Sequence, residues 1–115
     1  MNFIKEPEFQ RDLKKLKKKF RSLDEDIDRL RKVLIKLPQG TGGKHWNCIH
    51  KNERANIYKV RLACTSLHEK KMRIIYAHHA SDTLVVFIEL YFKGDKENED
   101  RERIKTYLKN SKKDT

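Results

Sequence analysis

Ile57-Tyr58-Lys59-Val60-Arg61-Leu62-Ala63-Cys64 is the stretch that decides how this chain folds. Successive side chains on a strand point to opposite faces, so Tyr58, Val60, Leu62 and Cys64 share one side and Lys59 and Arg61 the other. The alternation predicts a strand with one face buried and two permanent cations side by side on the other. Two further strand-like runs follow, Met72-Arg73-Ile74-Ile75-Tyr76-Ala77 and Leu84-Val85-Val86-Phe87-Ile88-Glu89-Leu90-Tyr91-Phe92. Residues 65–71, with Ser66, His68 and Glu69, read as a polar hairpin loop, and residues 80–83 as a tighter turn. The result is a small antiparallel sheet with one basic face, suited to a polyanion.

Upstream the period changes. Phe9, Leu13, Leu16, Phe20, Leu23, Ile27, Leu30, Leu34 and Leu37 recur at intervals of four and three, a helical stripe. Pro7 suits the first turn of a helix, where its missing N–H is no loss. Ser22 followed by Glu25 is a capping-box pattern, which predicts two helices, over 7–20 and 23–36, rather than one long one. Asn2-Phe3-Ile4-Lys5 reads as a short edge strand and residues 44–50 hold a further strand signal. Pro38-Gln39-Gly40-Thr41-Gly42-Gly43 is a turn and loop, not a phosphate loop, since no strand precedes it and no Gly-Lys-Ser/Thr ends it. Asn98 is the expected cap of a last helix through Leu108, with Ile104, Tyr107 and Leu108 as its apolar contacts. The expected fold class is α+β: an N-terminal helical hairpin packed on an antiparallel sheet of about four strands, with a short C-terminal helix. Residues 1–109 read as a single domain and 110–115 as a polar tail.

The 115 residues fit one modest core. Lysine and arginine number 28 against 17 acids, a net charge of +11, so an anionic partner is expected. No apolar run approaches the roughly 18 residues that a membrane span needs, and residues 1–20 lack the apolar segment of a signal peptide. Cys48 and Cys64 form no metal pattern or disulfide framework, which points to reduced thiols and a cytoplasmic protein. The five histidines, His45, His50, His68, His78 and His79, follow no ligand spacing, so no metal and no cofactor is expected. Lys14, Lys15, Lys17, Lys18, Lys19 and Arg21 are either a solvated helix face or an electrostatic contact to a phosphate backbone. Trp46 is either a core anchor or a stacking platform for a base.

The ordered set Phe9-Gln10-Arg11-Asp12-Leu13-Lys14-Lys15-Leu16, Ile57-Tyr58-Lys59-Val60-Arg61-Leu62, Met72-Arg73-Ile74-Ile75-Tyr76 and Val85-Val86-Phe87-Ile88-Glu89-Leu90-Tyr91 resembles the RelE/ParE superfamily of type II toxin–antitoxin toxins, over residues 3–109. The RelE branch is favoured. The resemblance implies a toxin that acts as a ribosome-dependent mRNA endoribonuclease, an mRNA interferase. Without a metal, it would direct a ribose 2′-OH in the ribosomal A site at the adjacent phosphate, and so inhibit translation. It implies a cognate antitoxin as partner beside the ribosome and mRNA, with DNA contacted only through the antitoxin. By the same resemblance Lys59 and Arg61 match the family's paired basic residues, Arg73 the arginine opening the next strand, and Lys93 a further basic position. The family's C-terminal tyrosine falls best on Tyr91 and less well on Tyr107, while His78 and His79 are acid–base candidates. The alternatives are a ParE-like inhibitor of DNA gyrase, or a basic RNA-binding module without catalysis. Plainer readings exist as well: Lys59 and Arg61 as the solvent face of an antiparallel sheet, and Arg73 as an ion-pair partner for Glu89.

Overall fold

All three strand-like runs form strands, and two more strands join them. A computed structural model describes residues 1–67 and 71–113. Its elements are β1 (Asn2–Lys5), α1 (Pro7–Lys17), α2 (Leu23–Lys36), β2 (Trp46–Lys51), β3 (Asn56–Leu62), β4 (Met72–His79), β5 (Leu84–Phe92) and α3 (Arg101–Lys113). The strands make one sheet in the order β1-β5-β4-β3-β2. β1 runs parallel to β5, with Asn2 opposite Leu84, and every other pairing is antiparallel. The α+β class stands, but the finer expectation is corrected. The sheet is mixed and has five strands, because the expected strand Asn2–Lys5 ahead of the helices joins it in parallel. The two helices do not form a tight hairpin: α1 lies chiefly along β5 while α2 reaches across to β3.

One face of the sheet is an apolar core. Phe9 and Leu13 of α1 and Leu23, Ile27, Leu30 and Leu34 of α2 press onto Tyr58, Val60, Leu62, Ile74, Tyr76 and Phe87. Phe87 stacks between Phe9 (centroids 5.3 Å apart) and Phe3 (6.0 Å). The 4,3 stripe is thus the buried face as far as Leu34; Leu37 lies past the end of α2 and is exposed. Trp46 is a core anchor. Its ring covers Gly40, its Nε1–H donates to Tyr76 Oη (2.8 Å), and that hydroxyl donates to Pro38 O (2.9 Å). Gly40 has φ +72°, and a Cβ there would stand 2.1 Å from the indole, so only glycine fits.

The first helix stops at Lys17, short of residue 20. Pro7 opens it as expected. Lys14, Lys15 and Lys17 lie in its last turn, where cations complement the helix dipole. The expected capping box at Ser22 is absent, because Ser22 has more distant partners. Its Oγ donates to Asp26 (2.7 Å) and accepts from Ser66 N–H (2.8 Å), while Ser22 N–H donates to Ser66 Oγ (2.9 Å). Asp26 is fully buried and also accepts from Thr65 N–H, Thr65 Oγ1 and Arg29. Burial opposes its charge, yet the hydrogen bonds from Ser22 and Thr65 hold its pKa below the ordinary carboxylate value. The loop after β3 is thereby tied to the start of α2 as far as Ser66; residues 68–70 of the expected hairpin loop lie outside the described residues.

The other face carries α3. Ile104 is buried there against Ile57, Ile75, Ala77, Val86 and Ile88, with Tyr107 and Leu108 partly buried beside it. Asp100, not Asn98, caps this helix, its Oδ1 accepting from Arg103 N–H (3.1 Å), and the helix continues past Leu108 to Lys113. A register shift opposite Ile75 and Tyr76 leaves Ile88 as an extra residue in β5. Beyond Phe87, β1 no longer covers the edge of β5. Two side chains do so instead: Asp12 accepts from Leu90 N–H (3.1 Å), and Arg103 donates to Ile88 O (3.1 Å) and to Asp12 (2.7 Å). Glu8 adds a second carboxylate on Arg103 (2.9 Å).

Candidate functional site

The pairing register builds the site. On β3, β4 and β5, Arg61 lies opposite Arg73 and Arg73 opposite Tyr91, giving one row of two guanidinium groups and a phenol across the sheet. The next row on the same face runs Asn47, Lys59, Ile75, Glu89. Four residues singled out in the sequence, Lys59, Arg61, Arg73 and Tyr91, therefore come together on the α3 face, beyond the reach of the apolar helices.

Their electrostatics follow from burial and from one another. Arg73 is nearly buried, and burial together with the charge of Arg61 lowers its pKa from the ordinary value, though it stays cationic. Its Nη1–H donates to Met72 O (3.1 Å). Arg61 Nε is buried and meets no hydrogen-bond partner among the described residues. The Tyr91 hydroxyl is also buried without a well-aligned partner among them, and burial raises its pKa despite the nearby Lys59 ammonium. Lys59 donates to Glu99 (2.9 Å), just before α3. Burial works against the Lys59 charge, but the bond to Glu99 prevails and lifts its pKa. Glu99 is 8% exposed, and the same ion pair holds its pKa down against the burial. Lys59, Arg61 and Arg73 thus stand together with the Glu99 carboxylate and a Tyr91 hydroxyl that burial keeps neutral. That set can grip a tetrahedral oxyanion through the guanidinium groups and offer it a proton from Tyr91.

The remaining candidates lie elsewhere. Lys93 stands past the end of β5, with its N–H on Lys71 O (2.8 Å), in a shallow groove lined by Lys71 and Lys96. The basic run of α1 sits on the opposite side of the sheet. Lys17 pairs with Asp24 (2.6 Å), and Lys19 lies 5.5 Å over both the Phe20 and Phe92 rings. Lys14, Lys18 and Arg21 are exposed, and Lys15 lines a small groove that passes round the β5 edge to Glu89 and Tyr91. His79 hydrogen-bonds Tyr107, and His78 Nδ1 is buried without a partner among the described residues. Burial lowers both imidazole pKa values and raises that of Tyr107 to about 12. Neither histidine nor Tyr107 touches the guanidinium row in any contact the structure shows. Glu89 stands opposite Ile75, and its carboxylate takes the Lys96 ammonium and Asp100 N–H (2.8 Å).

No protein-family model, curated protein or solved structure matches this chain. The site therefore rests on its own geometry. Among the described residues no three histidine, cysteine or acidic side chains gather as a metal site, and no helix is long and apolar enough to cross a membrane.

Sequence reasoning missed Glu99 and the Asp12–Arg103 clamp. A signal was present in one neighbouring case: Glu89 is a lone carboxylate inside a nine-residue apolar strand, and a buried acid needs donors. For Glu99, one acid among four in the segment 93–100, nothing local marks it.

Proposed function

We propose that this protein is a toxin of the RelE type, acting in the cytoplasm as a ribosome-dependent mRNA endoribonuclease and silenced by a cognate antitoxin. The observation that carries the reading is the row Arg61, Arg73, Tyr91 with Lys59 beside it on one sheet face. In the reaction a ribose 2′-oxygen bonds to the adjacent phosphorus and the bond from phosphorus to the 5′-oxygen breaks. The 2′-hydroxyl proton passes to water and the 5′-oxygen gains one from Tyr91, so the products are a cyclic phosphate and a 5′-hydroxyl. Negative charge grows on the non-bridging oxygens, where Arg61 and Arg73 are suited to bear on it. Lys59 is suited to bear on the same charge as a cation. Tyr91, kept protonated by burial, is suited to donate to the leaving oxygen. The exposed lysines of α1 supply long-range attraction to the RNA surface of a ribosome.

The test is a reconstituted cleavage assay: purified protein, ribosomes programmed with a defined mRNA and an open A site, and mapping of the new 3′ ends. The reading expects cleavage within the A-site codon, lost in Arg61→Ala and Arg73→Ala. Intact mRNA beside a folded protein would overturn it, and inhibition of gyrase would be measured next.

A further inference from the structure

The cation cluster is already in contact with an anion of the same chain. Lys59 meets the segment just before α3, where the Glu99 carboxylate sits on it at 2.9 Å, mostly shielded from solvent. Glu99 belongs to the segment 93–100, which carries four acids against two lysines in a chain of net charge +11. That segment is stitched down by polar contacts, among them Lys93 N–H to Lys71 O, Lys96 to Glu89, Asp100 N–H to Glu89, and Glu99 to Lys59. Each stitch is a polar contact, and the first apolar anchor beyond them is Ile104. Next to Lys59 stand Arg61 Nε and the Tyr91 hydroxyl, both buried and neither with a well-aligned partner among the described residues, so the site has donor capacity that the carboxylate leaves unused.

We propose that Glu99 is an internal competitor for the anion site: its carboxylate holds on Lys59 the place that an RNA phosphate takes, and RNA binds by displacing residues 96–100. This rests on reading Lys59, Arg61 and Arg73 as a phosphate site. A carboxylate and a phosphodiester both place oxygens on the ammonium, and in a half-buried setting the two like charges repel each other there. The apparent affinity for RNA is therefore reduced by the fraction of molecules in which Glu99 occupies Lys59. A partner that holds the segment down keeps the site shut without touching the cations.

The experiment uses a fluorescein-labelled single-stranded RNA, 2′-O-methylated throughout so that it cannot be cut, with anisotropy as the readout and no ribosome present. The variants are Glu99→Gln, Lys59→Gln, the double variant, and Glu97→Gln as a control for simple loss of a negative charge. Glu99→Gln is expected to bind on the order of tenfold more tightly than the parent. Glu97→Gln should gain much less, and Glu99→Gln should gain nothing in the Lys59→Gln background. Thermal melting shows whether each variant is folded. Independently, amide exchange in the unmutated protein should quicken at Asp100 when RNA is bound. Equal gains from Glu97→Gln and Glu99→Gln, no gain from Glu99→Gln, or unchanged exchange at Asp100 would overturn the proposal. Loss of cleavage in Glu99→Gln without tighter binding would do so too, making Glu99 a participant in the chemistry. If RNA binds as expected but is never cleaved on ribosomes, the competitor stands and only the nuclease reading falls.

Discussion

The two faces of this sheet are built to different rules. The face under α1 and α2 is continuous hydrocarbon and aromatic surface, with Phe87 stacked between Phe3 and Phe9 and Tyr76 tied to Trp46. The face under α3 is apolar for only part of its length; the rest holds Lys59, Arg61, Arg73, Tyr91 and Glu89. Burying a guanidinium or a carboxylate costs free energy unless it is fully paired. The first face therefore supplies the stability that lets the second keep charges crowded and partly unsatisfied. Stability and activity should separate cleanly between them.

The sharpest way to break this division is a cavity in the first face. Phe87→Ala should cost about 3–5 kcal/mol in urea denaturation, a large part of a small domain's stability. A much smaller loss would mean that the aromatic stack does not hold the sheet. On the second face Arg73→Met should do the reverse. Stability should be unchanged or raised, since an ion repelled by Arg61 is replaced by a thioether of similar length. A-site cleavage should fall roughly 10²–10³-fold, as for removal of one group that stabilises the developing charge. If Arg73→Met unfolds the protein, Arg73 is structural.

Asp12 spans the two faces at the β5 edge, and Asp12→Ala leaves Arg103 and Leu90 N–H short of a partner. It should cost about 2 kcal/mol in the same denaturation measurement. The smallest effect expected is on the pH dependence of stability. Burial lowers the pKa of His78 and His79, so the unfolded chain takes up protons first as pH falls. Stability should be intact above the ordinary histidine pKa of 6.5 and decline as pH drops through it toward the folded values. His79→Gln should flatten this decline between pH 7 and pH 5, as read by urea midpoints, and an unchanged slope would mean that His79 is solvated.

Local patterns made part of this architecture legible. Period-two alternation placed Lys59 and Arg61 on the face opposite Tyr58, Val60 and Leu62, and the 4,3 stripe marked the helical residues that are buried. What was not legible depends on partners far away in the chain. β1 pairs in parallel with β5, a partner no local signal names. Ser22 prefers Asp26 and Ser66 over the capping geometry its neighbours suggest, because the loop after β3 packs onto it. In the site, Arg61 and Arg73 meet because the β3–β4 register sets them opposite, and Tyr91 joins them because the β4–β5 register does the same. Glu99 reaches Lys59 along a segment with neither helical nor strand period, so its position follows from the path of the chain alone.

The parallel pairing of β1 with β5 also sets an order of events during synthesis. Asn2 and Phe3 leave the ribosome early, but Leu84 and Val85, which they need, leave late. Until then β1 has no strand beside it, Phe3 has no Phe87 to stack on, and the row of Arg61 and Arg73 lacks Tyr91. Glu99 follows within a few residues of β5. The emerging polypeptide thus completes its sheet and meets its own counter-charge almost together, leaving only a brief interval in which the cations are assembled but uncovered.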